Sequence, residues 1–186
     1  MSKNLIIFCI FTIIIFIPLS INAEDYQLVV YKNNKELALK KANNIVKKYH
    51  IATGKGGKGT KRKRGDSKTP LGVYRISKLS KSNRFHYFIQ LDYPNLIDAW
   101  YGFKNEVIDS SDFKRIANAY KKRESPPQDT NLGGQIGIHG IGKTTTKKLA
   151  IHKELNWTDG CIALTNDDIN DLMKFIKIGT TVVIKE

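Results

Sequence analysis

Apolar residues gather first in one unbroken block, LIIFCIFTIIIFIPL, from Leu5 to Leu19. Lys3 precedes it, and Ser20, Ile21, Asn22 and Ala23 follow. A basic start, an apolar core of 15 residues and a small residue before Glu24 form the pattern of a secretory signal spanning residues 1–23. An uncleaved membrane anchor is the alternative reading. A spanning helix needs about 20 apolar residues, so cleavage is preferred and the chain is expected outside the cytoplasm, in the periplasm or cell wall.

Beyond that block the pattern shortens. Residues 26–31, 36–40 and 45–52 are alternating or β-branched runs separated by Asn33-Asn34 and Asn43-Asn44, which predicts three short strands joined by hairpin turns. A helix over 36–48 competes, because Lys, Leu and Ala are good helix formers. Residues 54–64 read as a mobile basic loop, with the charge run Lys61 to Arg64 solvated. Pro70 and Gly72 should turn the chain into a strand at 73–76, and FHYFIQLDYP reads as a further strand ended by Pro94.

From Ser110 the period changes. Phe113, Ile116, Ala117 and Tyr120 predict a helix over 111–123 behind a serine cap, stopped by Ser125-Pro126-Pro127. GGQIGIHGIG reads as a strand entering a glycine-rich turn. Ile169, Leu172, Met173 and Ile176 mark a second helix, capped by Thr165 or Asn166 and ended by Gly179, before a strand at 180–184. No internal repeat is present. The pattern predicts one mainly β, α+β domain over residues 25–185, a mixed sheet with two helices.

Charge changes the picture of the surroundings. The formal net charge is +14, and +13 after loss of Lys3, so the surface suits a polyanionic neighbour such as an anionic wall polymer. Export argues against nucleic acid, and a Lys-rich composition alone is the competing explanation. Of the two cysteines, Cys9 lies in the apolar block, so the mature chain keeps only Cys161. No intramolecular disulfide is available to it. The thiol is a buried small hydrophobe, an intermolecular partner or a nucleophile.

Two motifs compete over one stretch. GIHGIGKT satisfies the phosphate-loop spacing from Gly137 to Gly142-Lys143-Thr144. Such a loop opens a sheet of repeated βα units, whereas 42 residues with one clear helix follow Thr144, so nucleotide binding is rejected. The other reading joins His139 to Cys161, 22 residues on, in the segment TDGCIAL. A thiol attacks as thiolate, which an imidazole can generate, and adjacent glycine lets backbone amides reach an oxyanion. On chemistry alone a core histidine and a core cysteine remain the commoner explanation.

IGIHGIG followed by TDGCIAL, with TGKGGKGTKRKRGDSKTPLGVYRI upstream, resembles the L,D-transpeptidase (YkuD) catalytic domain of bacterial wall enzymes. The resemblance implies a β-sandwich-like mixed fold and an acyl-enzyme mechanism on peptidoglycan stem peptides. It makes Cys161 the nucleophile and His139 the proton donor and acceptor. Backbone amides around Asp159, Gly160 and Cys161 would receive the oxyanion, and the carbonyl of Gly140 would orient the imidazole. It implies no metal, cofactor or nucleotide. Two departures stand out: Asp159 replaces the usual histidine, and Ala163 replaces the usual arginine or asparagine. Asp-Gly-Cys-Ile-Ala is similar to a subgroup with a helical insertion, here 109–127, some of whose members hydrolyse amide bonds. A peptidoglycan amidase or carboxypeptidase on the same machinery is therefore the alternative, and a non-catalytic basic wall-binding module the second. Asp159 is expected to brace protonated His139. His152 is read as an exposed loop histidine at the cleft edge, His86 as a half-packed strand residue, and Trp157 as a cover for the thiol.

Overall fold

The computed structural model describes residues 26–42 and 44–186. The signal segment and Asn43 of the second expected turn lie outside the described residues. The three N-terminal runs form strands, β1 (Tyr26–Tyr31), β2 (Glu36–Lys41) and β3 (Asn44–His50), as an antiparallel meander. The competing helix over 36–48 is not formed. Leu37 and Leu39 belong to the core, which period-two alternation achieves only in a strand. The left-handed turn positions are Lys35 (φ 49°) and Ala42 (φ 51°), one residue away from the asparagines the sequence offered.

β4 (Gly72–Ser82) and β5 (His86–Leu91) make a second antiparallel pair, with β4 running six residues past its expected end at Ile76. The chain then adds α1 (Leu96–Lys104), α2 (Ser110–Lys122), β6 (Gly137–Gly140), α3 (Thr146–Glu154), β7 (Ile162–Leu164), α4 (Asn166–Leu172) and β8 (Thr181–Lys185). Among the described residues four helices stand where two were expected. α1 starts in a capping box: Asn95 Oδ1 accepts from the amides of Ile97 and Asp98, and Asp98 Oδ2 accepts from the Asn95 amide at 3.0 Å. The cap of α2 is Asp109, whose Oδ1 accepts from the Asp112 amide at 2.8 Å, in place of the expected serine. Thr145 and Thr165 cap α3 and α4.

The eight strands lie in the order β3-β2-β1-β8-β4-β5-β6-β7, with β1–β8 and β6–β7 parallel and the other pairs antiparallel. The sheet rolls until its ends meet. Just past β3, Ala52 exchanges both backbone hydrogen bonds with Ala163 of β7, at 3.0 and 2.8 Å. Inside the roll sit Leu28, Leu39, Ile51, Ile89, Ile138, Ile162 and Leu164, all buried. Truncating fully buried Ile138 to alanine would cost roughly 2–5 kcal/mol. A smaller cluster of Ala99, Ile108, Ile116 and Leu132 seats α1 and α2 beside the sheet. No helix among the described residues is long and apolar enough to cross a membrane.

Candidate active site

Closure of the sheet determines where the Cys161 and His139 side chains lie. In the parallel β6–β7 register His139 pairs with Ala163 and Ile138 with Ile162, so Cys161, one residue before β7, falls level with Gly137. Side chains alternate faces, so Cys161 and His139 project from the same face, two positions apart along neighbouring strands. Ala163, the position without the family's usual polar residue, is fully buried under the Ala52 bridge.

The loop before Cys161 is held from three directions. Thr158 Oγ1 donates to the Cys161 carbonyl at 2.6 Å and accepts from the Gly160 amide at 3.2 Å. The amides of Thr158 and Lys55 bond the carbonyls of Thr53 and Thr158, which sews this loop to the chain leaving β3. Gly160 adopts φ +129°, and a β-carbon there would meet the Lys68 carbonyl at 2.8 Å, so only glycine fits. The Gly160 amide, one of those expected to receive an oxyanion, is instead engaged by Thr158 Oγ1.

Cys161 is half-buried, and its thiol donates to the Gln135 carbonyl at 3.3 Å. Burial pushes the thiol up to about 11, and the Asp159 charge adds to it, while a backbone hydrogen bond from Gly137 and the Lys61 charge act the other way. His139 is buried with Phe85 at 4.2 Å, Phe88 at 6.3 Å and Trp157 at 5.9 Å between ring centroids. Burial pulls its imidazole down to about 4, reinforced by the Lys148 and Arg84 charges and opposed by the bond to Gly140. Its Nδ1 lies 2.8 Å from the Gly140 carbonyl, which can only accept, so Nδ1 carries the proton and Nε2 is the free base. Both shifts favour the neutral thiol and the neutral imidazole. A thiol and an unprotonated Nε2 carried on one sheet face are the donor and acceptor that general-base activation of a thiol requires.

Several expected placements are corrected. The Asp159 carboxylate is largely exposed and bonds Lys55 Nζ at 2.9 Å and Ser67 Oγ at 3.1 Å, instead of bracing His139. His152 is buried on α3, where its Nδ1 accepts from Trp157 Nε1 at 3.4 Å and its ring meets His50 edge-on at 5.7 Å. Trp157 stands between the two histidines, against both rings. His86 opens β5 with φ 69° and reaches Asn170 Oδ1 at 2.7 Å. The basic run is built into the structure: Lys61 is buried against Asp66 at 2.9 Å, Arg62 lies 3.5 Å over the Tyr101 ring, and Arg64 bonds the Thr130 carbonyl. Only Lys61 meets a carboxylate there, while Arg62 and Arg64 are held by the Tyr101 ring and the Thr130 carbonyl, partners that the local charge run did not reveal. The GIHGIGKT turn is closed by the start of α4, since Gly142 donates to Asn166 Oδ1 at 3.0 Å and accepts from Asn166 Nδ2 at 2.7 Å.

A cleft of about 400 Å³ opens at Cys161, bounded by Ser67 and Arg64 on one side and Gln128, Gly134 and Gln135 on the other. Among the described residues no group of three or more His, Cys, Asp or Glu could hold a metal ion.

Residues 24–184 match the L,D-transpeptidase catalytic domain (YkuD) family. No curated protein matches the chain. The fold is similar to that of the helical cell shape determining protein Pgp2 from Campylobacter jejuni (22% identity, TM-score 0.54, covering 87% of this chain and 48% of that one). It is also similar to Bdellovibrio bacteriovorus Bd1075 (20% identity, TM-score 0.52, 87% and 48%) and to an Enterococcus faecium L,D-transpeptidase bearing a C442S mutation (13% identity, TM-score 0.51, 87% and 50%). The chain spans about half the length of these solved structures.

Proposed function

Because the chain belongs to the L,D-transpeptidase catalytic domain family, we propose that it is a cysteine-dependent L,D-transpeptidase acting on peptidoglycan stem peptides outside the cytoplasm. The observation that carries the reading is the pair itself: Cys161 at an open cleft, on the same sheet face as a buried His139 whose Nδ1 is fixed by Gly140.

In this reading the Cys161 sulfur attacks a stem-peptide carbonyl while its proton passes to His139 Nε2. The amides of Asp159 and Cys161 receive the oxyanion. The tetrahedral adduct collapses, the C–N bond breaks, and the leaving amine takes the proton from His139. A thioester remains on Cys161. An acceptor amine then attacks it, gives a proton to His139 as the new amide forms, and the sulfur recovers that proton on leaving. A neutral resting pair suits this sequence, because the imidazole is free to accept at the moment of attack.

Incubating the protein with defined muropeptides and weighing the products tests the reading. A cross-linked mass is expected. Loss of an amine with gain of water would make water the acceptor and the protein an amidase or carboxypeptidase. Unchanged muropeptides, or turnover that survives in Cys161→Ala, would overturn the catalytic reading and leave a wall-binding module.

A further inference from the structure

The charges around the cleft do not cancel evenly. Lys61 is neutralised by Asp66 and Lys55 by Asp159, each at 2.9 Å. Arg64 lines the same cleft as Cys161 but, among the described residues, forms no ion pair with a carboxylate. Asp129, whose carboxyl feels the Arg64 charge, is held by Arg115 at 2.8 and 3.0 Å. Arg64 is also held in position. Its Nε and Nη2 donate to the Thr130 carbonyl at 3.3 and 3.0 Å, and its amide donates to the Asn131 carbonyl at 2.7 Å. These bonds occupy one edge of the guanidinium and leave its other N–H groups for a ligand. A planar fork fixed before binding loses little side-chain entropy when a carboxylate arrives.

The position two residues after the nucleophile is closed to this role, since Ala163 is apolar and fully buried. A cation that reads the substrate must come from elsewhere in the wall of the cleft. We propose that Arg64 is the specificity-determining anchor of this site and binds a free carboxylate of the peptide whose carbonyl is presented to Cys161. The inference rests on the peptide-acylating reading above and names what the peptide must carry. The carboxylate belongs either to the C-terminus of the peptide or to an internal acidic residue, two sources that differ in which end of the substrate is read.

The test is titration calorimetry on the Cys161→Ala protein with a synthetic tetrapeptide of stem-peptide sequence, prepared free, amidated only at the C-terminus, or amidated only at the internal carboxylate. One amidation is expected to weaken binding roughly tenfold, and Arg64→Gln should erase that difference, leaving free and amidated peptides equal. The arm that weakens identifies the carboxylate. Equal affinity for all three peptides, a difference that persists in Arg64→Gln, or no binding of any peptide overturns the proposal. Should Arg64→Gln lose its fold, the Nε–H resonance of Arg64 in the Cys161→Ala protein takes its place. It should shift with the free peptide and stay still with the amidated one, and an unmoved resonance counts against the anchor. Muropeptides left unchanged by the unsubstituted protein, with Arg64-dependent binding intact, would remove the catalytic reading and leave the anchor standing.

Discussion

His139 Nδ1 lies 2.8 Å from the carbonyl oxygen of Gly140, the next residue in its own strand. That bond fixes the tautomer with Nε2 unprotonated, and burial pulls the imidazole down to about 4 while the thiol is pushed up to about 11. A thiolate–imidazolium pair at rest would need the reverse order. Alkylation of Cys161 by iodoacetamide should therefore be slow at pH 7 and rise steadily toward pH 10. A flat, fast rate between pH 5 and 9 would show a resting ion pair and contradict the neutral assignment.

Asp159 separates two possible electrostatic roles. Its carboxylate sits on Lys55 and Ser67 and is mostly exposed, yet its charge still raises the thiol. Asp159→Asn should move the alkylation profile to slightly lower pH and change turnover by less than about threefold, as expected of a screened surface charge. An upward shift with a large loss of turnover would restore the ion pair with His139 that the sequence suggested.

That reversal shows where the sequence was legible and where it was not. The three N-terminal strands and α2 could be read because local pattern and local propensity agree there, whereas Cys161 and His139 were singled out by the resemblance of their flanking motifs. α1 was missed because its signal is a capping box of Asn95 and Asp98, hidden directly behind Pro94. α3 has no apolar stripe, since Leu149, Ala150 and Ile151 are consecutive and only His152 is buried, so periodicity could not find it. Partners distant in sequence were out of reach as well: Thr130 for Arg64, and Lys55 for Asp159, which is brought close where the sheet closes between Ala52 and Ala163.

Trp157 links the two buried histidines, donating to His152 and packing its ring 5.9 Å from His139. Trp157→Ala should admit water beside His139 and raise its pKa from about 4 toward the ordinary value of about 6.5, because desolvation is the main cause of the depression. Two-dimensional NMR of the ring protons across pH 3 to 8 measures this. Trp157→Phe keeps the ring wall and should shift His139 much less. An unmoved His139 titration in Trp157→Ala would mean that Phe85 and Phe88 suffice to keep it dry.

Acid should destabilise the fold before the carboxylates titrate. His139 and His152 are both pulled down to about 4 by burial, so between about 6.5 and 4 the unfolded chain takes up protons that the folded chain refuses. Stability then falls as pH drops through that window and levels off below it. Asp98 works in the opposite direction. Burial in the α1 capping box raises it to about 6, so the folded chain holds a proton that the unfolded chain loses, and this term favours folding as pH falls. Two histidines outweigh one carboxyl, and the net loss from pH 7 to 4 should be a few kcal/mol, on the order of 10 °C in melting temperature. Asp98→Asn removes the opposing term and should steepen the decline, whereas His152→Gln should flatten it. A melting temperature constant across pH 4 to 7, or a decline unaltered by either substitution, would show that these buried groups do not set the acid limb.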